Sequence, residues 1–133
     1  MSMTRLLVLA AIGSMALAAW SVGGTFAAKT GETRLRAQLV ATAAGGAAER
    51  HADFRDAAGA KRFTVQVQNV TVDGRYEVVV KRGGAAILTT AVNVRHGLGE
   101  RELKTGVPAI EPGDTVEVSG PAPGATLILA GAF

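Results

Sequence analysis

Residues 63–80 read FTVQVQNVTVDGRYEVVV. Phe63, Val65 and Val67 alternate with Thr64, Gln66 and Gln68. Further on, Tyr76, Val78 and Val80 alternate with Glu77, Val79 and Lys81. A period of two gives each run one apolar face and one mostly polar face, as in a half-buried strand. Asp73-Gly74 lies between the runs. Gly tolerates positive φ and Asp bonds its own backbone, so this pair suits a tight turn. The stretch predicts a β-hairpin with one face on a core and the other in water.

The same pattern extends outward in both directions. Residues 34–41, RLRAQLVA, put Leu35, Ala37 and Leu39 on one strand face. Residues 42–46, TAAGG, read as a flexible turn. Residues 47–54, AAERHADF, have a composition that also suits a helix. Flanking glycine turns at hairpin spacing favour a strand, with Ala48, Arg50, Ala52 and Phe54 on one face. Gly83-Gly84 is expected to close a further hairpin, with residues 85–94 as its outgoing strand. A short strand is expected within residues 97–105, anchored in the core by Leu98 and Leu103. Pro108 and Pro112 deny ladder hydrogen bonds, so residues 107–114 read as a loop, with Pro112-Gly113 in a type II turn. Residues 115–119, TVEVS, form a strand with Val116 and Val118 inward. The chain ends in ATLILAGAF, where Leu127, Leu129 and Phe133 share one face and Ile128, Ala130 and Ala132 the other. Residues 126–133 carry no charge and no proline to protect an edge, so this strand is expected in the interior of a sheet.

About eight short strands joined by glycine and proline turns predict an all-β fold, an antiparallel β-sandwich of Ig-like or CHRD-like type. No helices alternate with the strands to build a parallel sheet. The 133 residues suit one domain, and 17 glycines suit many turns.

The N-terminus has a different character. Arg5 precedes the apolar run of residues 6–12, LLVLAAI, and small residues gather towards Thr25-Phe26-Ala27. This is the layout of a secretory signal peptide, with an N-terminal signal helix over residues 1–27 and the β-domain over residues 28–133. The alternative is an uncleaved anchor, since the uncharged stretch is long enough to span a bilayer. The expected location is therefore secreted or periplasmic, with membrane contact only through an uncleaved leader. Mass spectrometry of the exported protein is expected to show residues 1–27, including Trp20, removed. Retained Met1 would instead indicate an anchored chain.

In its order of segments the chain resembles small exported bacterial β-domains, and more distantly the CHRD-type β-sandwich domains. The resemblance rests on LRAQL, HADF, RFTVQVQNV, GLGERELKT and VPAIEPGDTVEV in that order, and on the closing ATLILAGAF. Leu127, Leu129, Gly131 and Phe133 match the final strand of that pattern. The His-rich central segment common in CHRD domains is missing, with His96 alone after residues 91–95. The resemblance implies a fold and no catalytic residues.

Few residues offer chemistry. With no cysteine there is neither a disulfide nor a thiolate site. Ser119 is the one serine beyond the leader and lies in no nucleophile elbow. Glu49, His51 and Asp53 would share a strand face, which offers imidazole and carboxylate to a divalent metal. They read equally as a solvated row, since zinc sites usually take three or four protein ligands. Glu100 and Glu102 share another strand face, without the aromatic platform a sugar site uses. The net charge of +3 is spread along the chain and aromatics are few, which argues against a nucleic-acid surface. The expectation is a secreted, non-enzymatic β-sandwich with no cofactor and a structural or binding role, its partner an unknown protein or envelope component. The alternative is a small periplasmic metal- or ligand-binding protein.

Overall fold

A computed structural model describes residues 31–133. The expected leader, residues 1–27, lies outside them. Eight strands follow in order: β1 (Glu32–Ala41), β2 (Glu49–Ala57), β3 (Ala60–Gln68), β4 (Gly74–Arg82), β5 (Ala85–Val94), β6 (Gly99–Leu103), β7 (Thr115–Ser119) and β8 (Leu127–Ala132). A short 3-10 turn, Ala43–Gly45, stands between β1 and β2. Every strand pairing is antiparallel.

All eight strands belong to one sheet in the order β5-β4-β7-β8-β1-β2-β3-β6. The hydrogen-bonded ladder runs through all eight strands without a break. It rolls nearly into a barrel, and its end strands meet where Arg95 bridges Leu98. Gly99 makes that approach possible: a Cβ there would lie 2.8 Å from the Asn93 carbonyl oxygen. Alternating apolar residues suit a sandwich and a barrel equally, because both bury one face of every strand.

The hairpin expected across Asp73-Gly74 does not form. β3 lies between β2 and β6, and β4 lies between β5 and β7. Periodicity reports which face of a strand is buried and says nothing about its neighbour. The residues between β3 and β4 instead cross one end of the barrel. Val70 is buried there, and its N–H donates to the Gly97 carbonyl at 3.2 Å. The Asp73 carboxylate accepts the N–H groups of His96 and Gly97 at 3.0 and 3.2 Å, so it ties the β5–β6 turn to the crossing. Those two bonds hold its carboxyl below the usual range. The Gly83-Gly84 hairpin does form, with φ of 60° and 85° at the two glycines and Arg82 opposite Ala85.

The core is made by the predicted alternation: Leu35, Ala37 and Leu39 from β1; Phe63, Val65 and Val67 from β3; Tyr76, Val78 and Val80 from β4; Val116 and Val118 from β7. Three details differ from expectation. Arg50 leaves the face of Ala52 and Phe54, because a φ of 133° interrupts the alternation. Leu98 is 58% exposed, since it sits in the turn beyond the barrel's end, whereas Leu103 packs against the core. In β8 both Ile128 and Leu129 are buried. Ser119 pairs with Leu127 and Val118 with Leu129, so Ile128 is the extra residue of a bulge that turns it inward. β8 is an interior strand, bonded to β7 on one side and β1 on the other. The expected turn at Pro112-Gly113 is present, with Gly113 at φ 99° and Asp114 N–H donating to the Glu111 carbonyl at 3.0 Å.

Candidate functional site

The strand register decides which charged side chains meet. On the outer face of β1, β2 and β3, Arg36 stands opposite Asp53, and Gln38 opposite His51. The Arg36 guanidinium donates to both Asp53 oxygens, from Nε at 2.6 Å and Nη2 at 3.2 Å. This fork geometry engages a carboxylate strongly. His51 Nε2 lies 3.3 Å from Asp53 Oδ2. Burial lowers the His51 pKa and outweighs the opposing pull of Asp53, so the imidazole is neutral at pH 7.

The sequence placed Glu49, His51 and Asp53 on one face, and they do share it. The structure does not gather them into a ligand set. The Glu49 carboxylate accepts from Gln68 at 2.7 Å and from Asn69 at 3.3 Å. Asp53 is engaged by Arg36. Among the described residues, no group of three or more His, Asp or Glu side chains is arranged to hold a metal ion.

A deeper concavity lies elsewhere on the described surface. Glu77 is opposite Ala91 on one side and Ser119 on the other, which sets these three in a row on the outer face of β5, β4 and β7. Residues 122–125 overhang that row. A groove of about 510 Å³ runs beneath them, lined by Arg75, Glu77, Thr89, Thr90, Ser119 and, across the gap between the end strands, Arg101. It opens there because β5 and β6 are bridged only at Arg95 and Leu98 and then diverge. Arg101 stands opposite Val65 in the β3–β6 ladder, yet its side chain is exposed at this gap.

Most ionic groups on the sheet are paired across strands, as in Lys81–Glu117 at 3.0 Å and Arg62–Glu102 at 3.1 Å. Arg75, Glu77 and Arg101 are among the exceptions. Among the described residues, none of the three makes an ion pair or a side-chain hydrogen bond. Two guanidiniums, one carboxylate and three hydroxyls therefore face the groove with free hydrogen-bonding capacity.

Comparison with known proteins finds no matching family, no similar curated protein and no similar solved structure.

The groove thus stands on its own geometry. Sequence reasoning missed Arg75, Glu77, Thr89 and Arg101, because no local motif joins them. They meet only through the β4–β5 and β4–β7 registers and the incomplete closure between β5 and β6. Ser119 was singled out as a lone serine, and the structure places it on the groove wall. No histidine lines the groove to act as its base. Glu100 and Glu102 lie on β6 opposite Gln66 and Thr64, outside the groove.

Proposed function

We propose that this is an exported, non-enzymatic β-domain that binds a polar ligand or partner in the cell envelope or extracellular space. The observation that carries the reading is the groove in which Arg75, Glu77 and Arg101 are left unpaired. A charged group held near the surface without a partner gains little for the fold and leaves its hydrogen-bonding capacity for a ligand. Its volume falls within the range of small-molecule sites, which supports ligand binding. Ser119 stands beside Glu77 but has no histidine in the groove to form a nucleophile–base pair, which favours binding over catalysis. Export rests on the leader-like N-terminus, and kinship with CHRD-type sandwich domains rests on the sequence pattern alone. The alternative of a small periplasmic ligand-binding protein draws on the same groove.

Melting of the exported protein tests this against a panel of zwitterionic and hydroxylated small molecules and soluble envelope glycans. A ligand of the native state raises the melting temperature. The expected result is a rise with at least one class of compound that is lost in Arg75→Ala/Arg101→Ala. Both arginines are exposed, so the double variant is expected to fold. A rise of equal size in the double variant would remove the groove from the function.

A further inference from the structure

A second face carries a charge arrangement that the fold does not require. Arg34 is directly opposite Arg55 in the β1–β2 ladder, and Arg55 is directly opposite Arg62 in the β2–β3 ladder. Three guanidiniums therefore stand in one row across three neighbouring strands, on the outer face. Directly opposed cross-strand residues have Cβ atoms about 5 Å apart, and like charges in that position oppose pairing.

The acids nearby offset this only in part. Glu32 is shared by two arginines: Arg34 Nε reaches it at 3.0 Å, and Arg55 also bonds to it. Glu102 takes Arg62, and Asp53 takes Arg36. Four cations thus face three carboxylates around a depression of about 200 Å³ that Thr64 also lines. The side chains of Arg34, Arg55 and Arg62 are 45%, 44% and 46% exposed, so each has room to turn towards a ligand.

We propose that the row Arg34–Arg55–Arg62, flanked by Arg36 and Thr64, is a binding site for a phosphate group. An incoming anion must displace Glu32 and Glu102 from the guanidiniums. A phosphate monoester carries about −1.5 to −2 charge at pH 7 and three acceptor oxygens. It therefore outcompetes a singly charged carboxylate at a forked arginine cluster, where a ligand carboxylate would only exchange like for like. This site shares no residue with the groove, and its fate is independent of the groove's.

The test uses the exported protein, titrated with inorganic phosphate at constant ionic strength and followed by calorimetry. Saturable binding is expected, weakened at least tenfold in Arg55→Gln. Glu32→Gln discriminates further: with the competing carboxylate removed, phosphate should bind several-fold more tightly. A purely structural arginine–glutamate cluster would show no such gain. Sedimentation with phosphatidylcholine vesicles, with and without phosphatidic acid, separates the sources. Phosphatidic-acid-dependent sedimentation lost in Arg55→Gln assigns the site to a lipid headgroup. Phosphate binding without sedimentation assigns it to a soluble phosphate ester. The proposal is overturned if neither probe binds, if chloride at matched ionic strength gives the same response, or if Arg55→Gln binds as the parent protein does.

Discussion

Deleting residues 126–133 is expected to leave a chain with no cooperative thermal unfolding. β8 is hydrogen-bonded on both sides, to β7 through residues 115–119 and to β1 at Val40 and Ala41. Its removal opens the ladder in the middle of the sheet and separates the β5-β4-β7 part from the β1-β2-β3-β6 part. It also removes Ile128, Leu129 and Phe133 from the core. The last residue matters to the backbone too, since Phe133 N–H donates to the Asp114 carbonyl and Gly113 N–H to the Phe133 carbonyl, both at 2.8 Å. The milder variant Leu129→Ala truncates a fully buried side chain and is expected to cost about 2 to 5 kcal/mol. That is a large share of the roughly 5 to 15 kcal/mol that holds a domain together. Denaturant melts of both variants check this. A truncated domain that still melted cooperatively as a monomer would mean that the C-terminal strand is a detachable segment, able to be donated to a partner.

The second large effect is expected at Asp114, the one buried charged residue among the described residues. Its carboxylate accepts from Arg82 Nε at 3.0 Å and Nη2 at 2.8 Å, and from the Glu111 N–H at 2.8 Å. Arg82 also donates to the Ala109 carbonyl at 2.9 Å. One carboxylate therefore joins the end of β4, the loop before β7 and, through its own backbone, the C-terminus. Asp114→Ala leaves the Glu111 N–H without its acceptor and takes from Arg82 its forked carboxylate partner, and is expected to cost about 3 kcal/mol.

Its pH dependence has a definite sign. The hydrogen bonds from Arg82 hold the Asp114 carboxyl below its ordinary value, and this outweighs the opposing effect of burial. The unfolded chain therefore takes up the proton first as pH falls. The stabilisation is complete above the unfolded carboxyl range, about pH 4 to 5, and is lost as pH falls through the depressed folded value. Asp114→Asn should melt below the parent protein at pH 7 and show a shallower acid limb, so that the two curves converge towards pH 2. Parallel curves over that range would show that Asp114 is not the group responsible. Glu32 and Asp73, whose carboxyls are also lowered, add to the acid limb that remains in Asp114→Asn.

What the amino-acid order determined by itself was local. Alternation set the buried face of β1, β3, β4 and β7, glycine pairs set the Gly83-Gly84 turn, and the uncharged tail from Thr126 marked β8 as interior. These follow from side-chain direction and turn chemistry, which act over a few residues. Only the tertiary structure decided which strands are neighbours. Residues 69–73 between β3 and β4 are long enough to cross the barrel end rather than turn back, and nothing in Asp73-Gly74 distinguishes the two paths. The same holds for both candidate sites. The row Arg34–Arg55–Arg62 exists because two ladders come into one register, and Arg101 meets Thr89 because one ladder stops short of closing. Register and closure arise from packing around a shared core, and the residues they bring together lie on different strands with no local motif to join them.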